Sequence, residues 1–194
     1  FDAAGNLYGT TAGGGTHGGY GAVFKLIPEA GGGWSEKVLH SFGSGSDGRY
    51  RPSSVILDAA GNLYGTTAGG GTDNVGIVFE LTPTTSGPWD ETILHDFLNN
   101  DEDGVDPIGG LIFDAAGNLY GTTTAGGIHG AGTLFEMTPT TGGSWTEQVL
   151  YVFKSENTYS GPEDALIFDG AGNLYGTEVG GGTADEGTVF EVTP

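Results

Sequence analysis

The chain has 194 residues, 40 of them glycine, with no cysteine and with 25 Asp and Glu against 5 Lys and Arg, a formal charge of −20. Scattered cations in that number cannot build the basic patch a phosphate backbone requires, so nucleic acid is excluded as a partner, and without thiols neither a disulfide framework nor a thiolate metal centre can form. No apolar run approaches the roughly 18 residues of a membrane helix, so no membrane insertion is expected.

Self-similarity organises the rest. The decapeptide DAAGNLYGTT begins at Asp2, Asp58 and Asp114, and DGAGNLYGTE begins at Asp169, a spacing near 56 residues. A single repeat region follows, with units 2–57, 58–113 and 114–168 and a partial unit 169–194. In chain order, each unit reads as four short strands. The first is an apolar run ahead of the Asp: Val55-Ile56-Leu57, Leu111-Ile112-Phe113 and Leu166-Ile167-Phe168. Asp-x-x-Gly-Asn then turns the chain, since Asp accepts backbone N–H groups and Gly supplies positive φ. Asn-Leu-Tyr-Gly-Thr-Thr is the second strand, where Gly and Thr are expected to let backbones approach closely. A third strand, such as Val78-Phe79-Glu80-Leu81, alternates with period 2 and stops at a proline: Pro28, Pro83, Pro139 and Pro194. The fourth begins at Trp. Strict alternation puts Trp34, Glu36, Val38, His40 and Phe42 on one face, then Trp89, Glu91, Ile93, His95 and Phe97, then Trp145, Glu147, Val149, Tyr151 and Phe153.

Four antiparallel strands per unit predict an all-β fold, a β-propeller of four-stranded blades. The alternatives are a β-solenoid, against which the hairpin turns argue, and an open repeat filament. The chain reads as entering at the tail of a first strand, Phe1-Asp2, and leaving before a Trp-led outer strand. These residues are therefore not expected to close a ring alone. Neighbouring repeats of a longer chain, or self-association of copies, would complete it; two copies would give about seven blades.

Asp-Ala-Ala-Gly-Asn-Leu-Tyr-Gly-Thr-Thr, the Gly-Gly-Gly loop, Val-Phe-Glu-Leu-Thr-Pro, and Leu-His-x-Phe with a downstream Asp-Gly resemble the Gloeobacter/Verrucomicrobia (GloVer) tandem repeat along essentially the whole chain. That resemblance implies a secreted or surface-anchored bacterial repeat protein, and it carries no catalytic residues. The Asp-x-x-Gly-Asn-Leu-Tyr block is also similar to NHL and gluconolactonase-like propellers, whose repeats are shorter.

Several residue groups are candidates for function. The repeated turn residues Asp2, Asp58, Asp114 and Asp169 offer oxygens to Ca²⁺, yet one Asp per turn supplies too few. Asp101-Glu102-Asp103-Gly104-Val105-Asp106 is the best metal candidate, with Asp101, Asp103 and Asp106 as ligands. Ca²⁺ is the one cofactor the sequence leaves open, against the simpler reading of a solvated acidic loop. The same place holds Ser46-Asp47-Gly48 in the first unit and Ser160-Gly161-Pro162 in the third. His40 and His95 share one repeat position and read as packing residues; His17 and His129 fall in a variable loop. Trp34, Trp89 and Trp145, joined by Tyr8, Tyr64, Tyr120 and Tyr175, could stack on a polysaccharide or pack between blades. The Gly-rich loops lack the Lys-Ser/Thr of a phosphate cradle. The expected function is a non-enzymatic, extracellular or cell-surface module with a structural or adhesive role. A glycan-binding, lectin-like propeller is the alternative, and a metal-dependent propeller hydrolase or lactonase the second.

Overall fold

Period-2 alternation and glycine-rich turns yield strands throughout. The computed structural model describes residues 1–43, 46–85, 87–154, 161–184 and 186–194, and among them there is no α-helix. Ser160 of the third-unit comparison lies outside the described residues. The first blade contains β1 (Leu7–Thr11), β2 (Ala22–Pro28) and β3 (Trp34–Ser41). A short β4 (Gly48–Arg49) leads to the second blade: β5 (Ile56–Leu57), β6 (Leu63–Thr67), β7 (Gly69–Gly70), β8 (Ile77–Thr82) and β9 (Asp90–Asp96). The third has β10 (Gly104–Val105) as lead-in, then β11 (Ile112–Phe113), β12 (Leu119–Thr122), β13 (Ala125–Gly126), β14 (Thr133–Pro139) and β15 (Trp145–Val152). The last is β16 (Ile167–Phe168), β17 (Leu174–Glu178) and β18 (Thr188–Val192).

The blade sheets run β1-β2-β3, β5-β6-β8-β9, β11-β12-β14-β15 and β16-β17-β18, while β4-β7 and β10-β13 are small ribbons at the lead-ins. Every ladder between named strands is antiparallel, as in propeller blades and unlike the parallel stacking of a solenoid.

A sheet of this size cannot stand alone, and the two middle blades bury both faces against their neighbours. On β8, Phe79 and Leu81 pack with Val23, Leu39 and Phe42 of the first blade. Val78, on the opposite face, packs with Leu111, Leu119, Phe135 and Met137 of the third. A phenylalanine pair crosses each seam: Phe42–Phe79 at 5.2 Å, Phe97–Phe135 at 5.3 Å and Phe153–Phe190 at 4.8 Å between ring centroids. Burying each such ring contributes about 1.5–3 kcal/mol. Also across the seams, the Thr66 hydroxyl donates to the Pro107 carbonyl at 2.6 Å, and Thr10 to that of Pro52 at 3.3 Å.

The glycine of the second strand has a different task from the one its sequence suggests. A Cβ on Gly65 would lie 2.7 Å from Cζ of Phe79, so the glycine makes room for a side chain on the paired strand rather than for a backbone.

The outer strands also depart from strict alternation. In the β8–β9 ladder Val78 pairs with His95 but Phe79 with Ile93, so Leu94 is an extra residue, a β-bulge. Leu39 and Leu150 occupy the same place in the other outer strands. The bulge reverses the sidedness of everything after it. Trp89 and Ile93 pack toward the first blade, whereas Leu94 and Phe97 pack toward the third.

Candidate functional site

The Asp turns are built from their own donors. Oδ1 of Asp58 accepts the N–H groups of Ala60 and Asn62, at 2.9 and 2.8 Å. Its Oδ2 accepts from Asn62 Nδ2 at 3.0 Å and from the Tyr64 hydroxyl at 3.2 Å. Asp2, Asp114 and Asp169 repeat the arrangement. Hydrogen bonds from Asn6 and its backbone hold the Asp2 carboxyl well below the usual range, and those from Asn173 lower Asp169. With four donors each, these carboxylates lock hairpins. The single protons of the Tyr64 and Tyr120 hydroxyls are shared between these aspartates and Glu80 and Glu136, whose Oε1 atoms lie nearer, each at 2.8 Å. In the first blade Lys25 takes the Glu place and lies 3.5 Å from Asp2.

The tryptophans sit at blade seams. Trp89 meets Tyr8 of the preceding blade at 6.3 Å, and Trp145 meets Tyr64 at 6.0 Å, both half-buried. Trp34, on the outward face of the first blade, is 48% exposed.

Two seams carry a denser constellation. His40 lies near the end of β3, just after its bulge, and its ring packs edge-on against Phe42 at 4.8 Å. Its Nε2 lies 3.3 Å from Oδ1 of Asp47, whose Oδ2 accepts the Gly43 N–H at 3.0 Å. Across the seam, Oε1 of Glu91 on β9 stands 3.8 Å from the same Nε2. The next seam repeats this: His95 Nε2 is 3.2 Å from Oδ2 of Asp103, and Glu147 on β15 comes from the third blade. In each trio one ligand atom per residue falls within 4.8 Å of the others.

Electrostatics reflect the crowding. Burial pushes the Glu91 carboxyl up to about 7, with Asp47 adding to the rise and His40 opposing it. Burial likewise raises Glu147 to about 7, against the charge of His95. For His40 burial acts downward, but the Asp47 hydrogen bond and the Glu91 charge outweigh it and raise the imidazole. Burial would raise Asp47; its contacts with His40 and Gly43 leave it lowered.

The acidic loop divides. Asp103 turns inward to His95, its backbone N–H held by Asn100 Oδ1 at 2.7 Å. Asp101 is exposed. Asp106 has φ 56°, and burial raises its carboxyl against the opposing charge of Arg51. Neither Asp101 nor Asp106 belongs to a trio. Strict alternation put His and Glu of one strand on one face and so hid their meeting across blades. The recurrent Trp-x-Glu of the outer strands (Glu36, Glu91, Glu147) was the available signal, a carboxylate placed beside packed aromatics.

Stacked antiparallel blades with repeated seams define a β-propeller repeat protein. The family model of the Gloeobacter/Verrucomicrobia repeat matches residues 1–194, and the chain belongs to that family. Among solved structures, the X-ray structure of a provisionally assigned gluconolactonase is similar, with a TM-score of 0.52 and 20% identity. The match covers 89% of this chain and 57% of that one, so this chain spans little more than half of that structure's length. At that identity the likeness is one of fold. No curated protein matches the chain.

Proposed function

We propose that the chain is a non-enzymatic structural module of a bacterial extracellular or cell-surface repeat protein, and that its work is to stack blades. The observation that carries this is where the repeated residues are spent. Trp89, Trp145 and the paired Phe rings pack against neighbouring blades, and the turn aspartates hold hairpins. The outward faces keep the same chemistry. Val189 is 78% exposed, while its counterparts Val78 and Leu134 are fully buried by a following blade. Trp34 is the matching exposed group on the first blade. A neighbouring repeat of a longer chain, or a second copy presenting its Trp34 face to this Val189 face, would reproduce the internal seam. Such a contact is heterologous, so it closes into a ring or grows into a filament.

Light scattering against concentration tests this. Association that Val189→Asp and Trp34→Ala each weaken supports the reading; a monodisperse monomer at every concentration overturns it. A metal-dependent lactonase is the second reading, favoured by the fold likeness to a gluconolactonase. Turnover of a lactone panel with added divalent ions would replace the first reading with it.

A further inference from the structure

We propose that each of the two seams binds one divalent transition-metal cation of the zinc type, held by His40, Asp47 and Glu91 in one and by His95, Asp103 and Glu147 in the other. The donor spacing carries the first part of the argument. Tetrahedral zinc with bonds of about 2.0–2.1 Å separates its ligand atoms by about 3.3–3.4 Å. The observed separations are 3.3 Å for His40–Asp47, 3.8 Å for His40–Glu91 and 3.2 Å for His95–Asp103. Small side-chain adjustments bring these atoms onto one ion.

A second, independent observation points to a ligand. Oε1 of Glu91 and Oε1 of Glu147 are both buried and accept no hydrogen bond from a donor among the described residues; Glu91 meets the Asp47 carboxyl only through a shared proton. A buried carboxylate oxygen without a partner is costly. It recurs at equivalent positions of two blades, each time aimed at a His–Asp pair. A cation bound there satisfies the oxygen and neutralises the two facing carboxylates. The aspartates are already oriented for it: Gly43 N–H holds Asp47, and the N–H groups of Leu98 and Gly104 hold Asp103 at 2.9 and 2.8 Å. The first trio also borders a surface cleft lined by His17, Val38, His40, Asp47 and Trp89, which gives an ion a way in.

Donor chemistry selects the metal class. One imidazole nitrogen with two carboxylates suits Zn²⁺ and its neighbours, whereas Ca²⁺ wants six or more oxygens. Because each site takes ligands from two blades, the ion staples a seam. This holds whether or not copies associate.

The test uses the whole chain, freed of metal by chelator and titrated with Zn²⁺ in millimolar Ca²⁺, which occupies all-oxygen surface sites. Two saturable equivalents are expected, with a rise in melting temperature. His40→Gln should leave one equivalent, and His40→Gln with His95→Gln none, while Asp101→Asn keeps both. Co²⁺ in the unaltered protein should give the intense visible bands of a tetrahedral site, which keeps the test alive if a variant misfolds. Absence of saturable uptake, uptake unchanged in the double His variant, or displacement by Ca²⁺ would overturn the assignment.

Discussion

Glu91 and His40 face each other across the seam between the first and second blades, with Oε1 3.8 Å from Nε2. They come from equivalent outer strands, β9 and β3. Glu91 precedes the bulge at Leu94 and points back; His40 follows the bulge at Leu39 and points forward. One extra residue per strand thus turns a repeated pattern into a contact between repeats.

That contact makes stability depend on pH in the metal-free protein. Glu91 and Glu147 rise from an ordinary 4.5 to about 7. A raised carboxyl contributes stability in full below its unfolded value, and that contribution is lost as pH climbs through the folded one. His40, also raised, acts in the same sense. Asp47 is lowered, so its contribution fades as pH falls below 3.8. With chelator present, the melting temperature should climb from about pH 8 toward about pH 5 and fall again below about pH 4. Glu91→Gln with Glu147→Gln should flatten the upper limb; an unchanged slope would show that general repulsion among surface charges is responsible.

Gly65→Ala should destabilise by about 1–3 kcal/mol, because its Cβ would meet the Phe79 ring at 2.7 Å and Val55 Cγ1 at 3.2 Å. In a double-mutant cycle with Phe79→Leu, urea denaturation should reveal coupling: the alanine costs less once the ring is gone. Additive effects would mean that the ring does not set the glycine.

The tryptophans separate packing from ligand binding. Trp89→Ala opens a gap against Tyr8 and should cost about 3 kcal/mol. Trp34→Ala, at a residue 48% exposed, should leave the melting temperature of dilute protein within a degree or two. Should Trp89→Ala be neutral to stability yet abolish retention on an immobilised polysaccharide, the glycan-binding role takes precedence.

Leu39 is fully enclosed at the bulge of β3. Leu39→Ala should cost about 2–5 kcal/mol. It should also loosen the His40–Asp47 pair beside it, seen as broadened His ring signals by NMR. A variant with full stability and sharp His signals would show that the bulge needs no anchoring side chain.

Much of this architecture could be read directly from the residues. Asp-Ala-Ala-Gly-Asn has the chemistry of a locked hairpin, and Asp58 with Asn62 and Tyr64 builds one. Period 2 in Val78-Phe79-Glu80-Leu81 marks a strand, and recurrence of the block marks a stack of blades; these are local features that neighbouring residues fix. The burial of both strand faces was already a consequence of stacking. What Glu91, His95 and Asp103 do was decided elsewhere. A bulge is defined by the residue opposite it on another strand, so the sequence of β9 alone looks regular while its His and Glu point to different neighbours. The His–Asp–Glu trios draw donors from successive blades, and the acidic loop that suggested one shared ion instead sends Asp103 inward and leaves Asp101 in solvent. Strands, turns and the repeated stack follow from backbone preference and alternation, which neighbours along the chain fix. Tertiary structure alone decided which carboxylates meet which histidines, because that depends on register across a seam and not on order along the chain.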